Sequence, residues 1–420
     1  MRVTEVLYHK INRYRAWQLN WVMNKRKKVR ESRESIHIKK LGYPTVAAED
    51  FLKNAEEEVV PLEIDNDVQE AEPLLQTVKF DSSHPLYQQD PLPCIDDTNV
   101  LLEGVEQAKV LLNTVHIEGL PKEIEDSVGS RAIPFQDTRV KRVVMSSQIF
   151  DAMQVLLPKR KDPERPEWNF PRDYGIDSQR KFNLTISQML QLCEFLDGKA
   201  SLVNRAQISD AYCCARLDKE GVPFQIKNRA DILVTSKVPI APLASRDTGS
   251  STPLPDIHPL HFTVSIPKQH FYHSESIFPI SKMFAKPHPH TAFFHYDPSE
   301  VKNLYGEPVT ESQFLSRTLV KAFAVAASRA QQLYGDDVKK LPEPLTLQVV
   351  HSDNKRFHFG VLQLNTLLLS SPEEKNIFWM LPSPVDLYEE CGYVKGRPAL
   401  QDYNPEVFQR ILAFYFNGIP

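Results

Sequence analysis

The chain has 420 residues, enough for a substantial core, with 41% hydrophobic and 25% charged residues, the proportions of an ordinary globular protein. Its formal net charge of −4 excludes a protein that coats nucleic acid over its whole surface but leaves room for local basic patches. No stretch approaches the roughly 18 apolar residues of a membrane-spanning helix, and the 32 prolines against 14 glycines predict extended irregular segments of the kind that lie on partners.

The first thirty residues are strongly basic. Arg2, Lys10, Arg13, Arg15, Lys25, Arg26, Lys27, Lys28 and Arg30 are opposed only by Glu5, while Val3, Leu7, Ile11 and Tyr14 fall on one helical face. A basic amphipathic helix poor in acids is the physical form of a mitochondrial presequence, which is the preferred reading. Two others remain open: an arm in which Lys25, Arg26, Lys27, Lys28 and Arg30 neutralise RNA phosphates, with Trp17 or Trp21 free to stack, and a solvated basic tail. Residues 31–95 read as an acidic, largely extended linker, with Glu49, Asp50, Glu56, Glu57, Glu58, Glu63, Asp65, Asp67, Glu70 and Glu72 among few large apolar side chains.

The body is expected over residues 96–420, with order beginning near His84-Pro85-Leu86-Tyr87. Asn99–Leu112 has helical spacing of apolar residues, weakened slightly by Gly104, and Pro121 closes the turn that follows. Residues 158–176 form a proline-rich excursion in which Lys159, Arg160 and Lys161 could touch phosphates, against the default of a solvated loop. Ser178–Leu196 reads as a helix stopped near Gly198. Ala206–Leu217 and Pro223–Val234 read as a strand pair, and 236–260 as a loop. The strongest helix signal is Thr310–Tyr334, ended by Gly335, where Asp336 and Asp337 could serve the turn. Leu345–Val350 and Phe357–Leu364 form a hairpin around Ser352-Asp353-Asn354-Lys355, with His351 and His358 placed to pair across it, and Ile377–Leu381 supplies a further strand. The chain closes in a helix capped by Asn404, with Pro405 at its first position and Gly418 past its end. This order predicts an α+β fold, a mixed or antiparallel sheet with packed helices, preceded by an extended N-terminal arm.

Chemistry is hard to find. Nucleotide-binding glycine loops, GxSxG and HExxH are all missing from the sequence, and no residues are assigned to catalysis, to a cofactor or to a metal. The five cysteines show no CxxC spacing and read as free thiols of a reducing compartment. His258, His261, His270, His273, His288, His290 and His295 crowd one region. The prolines among them imply extended backbone, so surface or loop histidines are expected rather than a metal centre.

Three sets of blocks carry a resemblance. They are HPLY (84–87) with LLEGVEQA (101–108) and IEGLP (117–121); AASRAQQLYGDD (326–337) through EPLTLQVV (343–350) to FHFGVLQLNTLLL (357–369); and NPEVFQRILAFYFNG (404–418). In this order and spacing the chain resembles the animal mitochondrial large-subunit ribosomal protein thirty-seven family, which is paralogous to the mitoribosomal protein also called programmed cell death protein nine. The acidic region 49–72 departs from the family's pattern. The resemblance implies a non-catalytic structural constituent of the mitochondrial large ribosomal subunit, in the matrix, supporting mitochondrial translation without a cofactor. It implies as partners the large-subunit ribosomal RNA and other mitoribosomal proteins, the paralogue among them, with no stable membrane insertion. The rival reading is a mitochondrial enzyme of unrecognised family using the His258–His295 region.

Overall fold

In a computed structural model the described residues are 33–43, 91–159, 164–165, 167–196, 198, 203–260, 266–270, 276–303, 305–395 and 397–419. The chain divides into two units, residues 1–78 and 79–420. In the first, the described residues form the short basic-ended helix α1 (Arg33–Lys40), closed by Gly42. The presequence reading, the acidic stretch 49–72 and the HPLY block lie outside the described residues.

The second unit is built on a ten-stranded mixed sheet. Its main path runs β2 (Thr114–Glu118), β11 (Asn376–Met380), β10 (Arg356–Thr366), β9 (Lys340–Ser352), β8 (His288–His295), β6 (Val222–Ser236), β1 (Leu92–Ile95) and β7 (Lys268–Gln269). β5 (Arg205–Lys219) pairs with β6 along its length, and β12 (Val385–Asp386) pairs with β10. The β1–β6, β8–β9 and β2–β11 pairs are parallel and the others antiparallel, so the predicted α+β class holds with a mixed sheet. Strand β1 falls inside the stretch read as linker.

Both faces of the sheet are covered, and alternation along each strand sorts its side chains between them. On one face Leu345, Leu347 and Val349 of β9 and Leu362 and Leu364 of β10 join Ala292 and Phe294 of β8 beneath α6 (Glu311–Tyr334) and α2 (Gly104–Leu111). On the other, Phe357, Phe359 and Val361 of β10 and Phe293 of β8 pack under three helices: α4 (Gln136–Gln148), α5 (Ser178–Leu196) and α7 (Glu406–Phe416). Helix α3 (Lys122–Ser127) contributes Ile124 to this second core.

Helix α6 starts at a capping box: the Gln313 amide N–H donates to Thr310 Oγ1 while Gln313 Oε1 accepts from the Thr310 amide. Its buried cations reach the segment after β1. Arg317 donates to the Asn99 and Asp97 carbonyls, at 2.7 Å each, and Lys321 pairs with the Asp97 carboxylate. Those contacts hold 97–99 out of helical geometry, so α2 begins at Gly104 rather than at the expected Asn99. Gly104 is the helix's first residue, with φ of +60°, and not an interior weak point.

The QLNT block is a set of buried fasteners. Gln363 Oε1 accepts from the amides of Leu243 and Ala244, and Gln363 Nε2 donates to the Ala244 carbonyl. Asn365 donates to the Lys375 carbonyl, and Asn376 Oδ1 accepts from the amides of Asn365 and Thr366. Buried amides satisfied on all sides specify loop positions that apolar contacts alone would leave loose.

Asn404 Oδ1 accepts from the Glu406 amide at 3.0 Å, and Pro405 already has helical dihedrals, as expected. At the other end of α7, Gln348 Nε2 donates to the Phe414 carbonyl, Arg205 Nε to that of Tyr415, and both Arg205 Nη2 and His290 Nε2 to that of Asn417. Cationic and amide donors thus meet the negative end of the helix dipole. Replacing Asn404 by alanine is expected to cost about 1 kcal/mol, read as a lowered denaturation midpoint at unchanged slope.

Candidate macromolecular interface

Of the residues proposed from sequence to touch phosphates, Lys159 is described; Lys25, Arg26, Lys27, Lys28, Arg30, Arg160 and Lys161 lie outside the described residues. Lys159 is exposed, and its Nζ donates to Asn169 Oδ1. The proline-rich excursion around it closes on itself as a short hairpin, β3 (Val155–Leu156) with β4 (Tyr174–Gly175), locked by Arg172 donating to the Leu156 and Leu157 carbonyls. Met153, Val155, Leu156, Trp168 and Tyr174 are exposed on it, with the Arg165 guanidinium over the Trp168 ring.

Only part of the histidine-rich region is the surface loop the sequence suggested: His258 and His270 are exposed, but its last three described histidines are not in a loop. His288, His290 and His295 belong to β8 in the middle of the sheet, and His290 is fully buried. The prolines are tolerated because the β6–β8 register shifts between Val234 and Thr235, where Pro289 sits opposite Thr235. Because a carbonyl can only accept, His290 holds its proton on Nε2; burial, helped by nearby Arg205, pushes its pKa down to about 3. His258 and His270 lie off the sheet path, and His261 and His273 are outside the described residues. Among the described residues no three His, Cys, Asp or Glu side chains could share a metal ion.

One pair has the form of a nucleophile and base: Ser178 Oγ lies 2.9 Å from His295 Nε2. A hydrolytic triad needs an acid on the far ring nitrogen. Here the Asp231 carboxylate accepts instead from the His295 backbone amide at 2.7 Å and from Gln179 Nε2 at 3.0 Å. Asn354 Nδ2 donates to the Ser178 carbonyl, and Phe182 packs on the imidazole. The arrangement fastens the start of α5 to the end of β8. His351 and His358 are direct cross-strand partners, as expected, and the Phe314 ring sits 4.2 Å from each imidazole, centroid to centroid. The five cysteines are free; burial raises the thiol of Cys213 to about 12 and that of Cys214 to about 11, which leaves them poor nucleophiles at neutral pH. Asp336, just past α6, accepts at 3.4 Å from the amide of Ser276 and so ties the distant 276–280 segment to the helix end.

The feature that sequence reasoning missed lies on the outer layer. Residues 131–148 were assigned no element, yet they carry α4 behind the connection Ile133-Pro134-Phe135. Ile133 is buried, and the Gln136 amide turns back to its carbonyl, which leaves Phe135 in the left-handed region at φ +58° with its side chain 80% exposed. A bulky residue there carries backbone strain. Beyond it Arg139 lies 4.6 Å over the ring of Phe195, itself 60% exposed, and Lys141 lies 5.2 Å from the ring of Tyr403. Arg142 is exposed on the same helix. The base of a second hairpin, β13 (Glu390–Val394) with β14 (Arg397–Gln401), rests on α4, with Cys391 and Leu400 half-buried against the core. Its far end exposes Tyr393, Lys395 and Arg397. The acids Glu389, Glu390 and Asp402 sit at the other end. Such a surface can stack on planar groups and neutralise anions; no proton-transfer chemistry is organised on it.

The described residues thus combine a sheet covered on both faces, buried polar fasteners and an exposed layer of cations and aromatic rings. Comparison with known proteins gives the particular likeness. Residues 302–418, from before α6 to past α7, match the family described as "Mitochondrial 28S ribosomal protein S30 (PDCD9)". Over most of its length the chain is similar to proteins named large ribosomal subunit protein mL37. It is 29% identical to that of Rattus norvegicus over 349 residues, covering 80% of this chain and 77% of the relative. For Bos taurus the identity is 27% over 355 residues, with the same coverage, and for Gallus gallus it is 26% over 333 residues, 76% of this chain and 72% of the relative. The resemblance carried by the sequence blocks is thus borne out over about four-fifths of the chain.

Proposed function

We propose that the protein is a structural constituent of the mitochondrial large ribosomal subunit. The observation that carries this is similarity to mL37 proteins over about four-fifths of the chain, with the family match covering α6, the central hairpin and α7, the elements that tie the sheet together. In this reading it acts in the matrix, turns over no substrate, and is held by large-subunit ribosomal RNA and other mitoribosomal proteins, with its paralogue as one neighbour. Residues 1–30 direct import, and whatever remains of them after cleavage contributes Lys25 to Arg30 to RNA phosphates.

Buried polar side chains such as Gln363, Asn365 and Asn376, which fasten loops to the sheet, support the structural reading. A gradient of mitochondrial lysate tests it: the protein is expected to co-sediment with the large subunit at moderate salt. Migration only as a free species would overturn the proposal. Residues 1–40 fused to a reporter are expected to carry it into mitochondria.

A further inference from the structure

We propose that the solvent face of α4, together with the tip of the β13–β14 hairpin, binds unpaired RNA, with Phe135 stacking on a base and the surrounding cations holding the backbone. This deepens the ribosomal reading and rests on it for the presence of RNA.

Three observations converge. The first is Phe135: its φ of +58° and 80% exposure combine an unfavourable backbone with an unfavourable exposed phenyl ring. Seating Ile133 in the core sets the backbone angle, but the phenyl ring that it leaves exposed adds little to the packing of this chain. A ring held out on a rigid helix end is what a stacking partner requires. The second is charge. Arg139, Lys141, Arg142, Lys395 and Arg397 make no ion pair with any described carboxylate, in a chain whose overall charge is −4. The one carboxylate on α4 is Asp137, and the acids of the hairpin are at its base, away from the tip.

The third is the alternation of flat groups with cations. Arg139 over Phe195 and Lys141 beside Tyr403 keep cations spread against ring faces, and exposed Tyr393 stands beside Lys395 and Arg397 in sequence. An acidic protein surface would use the cations and leave the exposed rings of Phe135 and Tyr393 without flat partners. Splayed bases joined by phosphates use both. Phosphate contacts of this kind carry no base code, so affinity should be sequence-tolerant and salt-sensitive.

The test uses the purified full chain and a fluorescein-labelled oligouridylate of about a dozen nucleotides. Wild-type binding is expected to weaken with salt, with a log–log slope of about −2 to −3.5 for three to five phosphates neutralised on a single strand. Phe135→Gly, which relieves the left-handed strain, should lower affinity about tenfold while leaving the thermal midpoint equal or higher; Phe135→Tyr should bind as wild type. The pair R139A/R142A should flatten the salt slope by about 1.4. Undiminished binding by Phe135→Gly overturns the proposal. So does displacement of the oligonucleotide by polyglutamate at matched charge, which would assign the face to an acidic protein. Co-sedimentation of the wild type is read separately, so a particle-bound protein with unaltered Phe135→Gly binding defeats this inference alone, and a free wild type defeats the ribosomal reading.

Discussion

Replacing Gly104 by valine is expected to destabilise the body by about 3–5 kcal/mol, among the largest single-residue effects available outside the aromatic core. A Cβ built on Gly104 would stand 2.3 Å from Ser312 Oγ and 2.9 Å from the Ser312 carbonyl carbon. The hydroxyl could rotate away, but it accepts from the Val105 amide at 3.1 Å, so rotation uncaps α2. The backbone carbon cannot move without shifting the first turn of α6. The residue also has φ of +60°, which a β-branched side chain tolerates badly. Gly119→Ala separates the two costs. Gly119 has φ of +92° and open space around its Cα, so alanine there meets the conformational penalty alone, about 1 kcal/mol. Denaturant midpoints of the two variants at equal slope measure the difference. Equal midpoints would mean that the α2–α6 junction yields freely and that close packing at Gly104 is incidental.

Much of the architecture could be read from apolar periodicity, and the exceptions share a cause. Ser178–Leu196, Glu311–Tyr334, the β5–β6 and β9–β10 pairs and α7 all bury one face or both, so their spacing of large apolar residues is dense enough to see. Helix α4 escaped because its buried stripe is only Val140, Val143, Val144 and Ser147, set among cations and short polar residues. Strand β8 escaped because its pattern, HPHTAFFH, opens with a proline between two histidines and shows no apolar alternation there. What makes it a strand is tertiary: the bulge at Pro289, Arg205 and Asn417 around His290, and Asp231 on the amide of His295. Those partners are dozens of residues or more away in the chain.

The interface was less legible still. Basic runs draw attention in a sequence, which is why Lys159, Arg160 and Lys161 stood out. The cations on α4 and the β13–β14 hairpin are dispersed, and only the fold places them on neighbouring elements. No sequence signal marks Phe135, since a positive φ at phenylalanine follows from Ile133 being drawn into the core ahead of a helix start. Dispersed cations and one strained aromatic become a surface only after folding.

Acid is expected to destabilise the body as soon as the pH falls below about 6.5, the ordinary range of a free imidazole. His290, His351 and His358 are buried and neutral. Burial holds His290 at about 3 and His358 at about 4, and His351, also beside Lys321 and Arg317, well below its ordinary value. The Glu311 carboxylate 3.4 Å from His358 does not reverse this, so the contact joins a neutral imidazole to an acid and is no ion pair at neutral pH. For His351 the geometry gives the reason. Thr318 Oγ1 donates to the Phe314 carbonyl and accepts from Nδ1, so a second proton would go to Nε2, which is buried with no partner. The unfolded chain takes up protons near pH 6.5 and the folded chain does not, so stability is full above that pH. It falls as pH drops toward about 4, by up to about 1.4 kcal/mol per pH unit for each histidine. Denaturant titrations between pH 7 and pH 5 should show the midpoint falling steeply, and the double variant H351Q/H358Q should remove the share of two histidines, up to about 2.8 kcal/mol per pH unit; His116, His288 and His295, also pushed down by burial, keep the rest. A flat profile in the wild type would mean that these imidazoles accept protons inside the fold, against the closed packing of Phe314 on both rings.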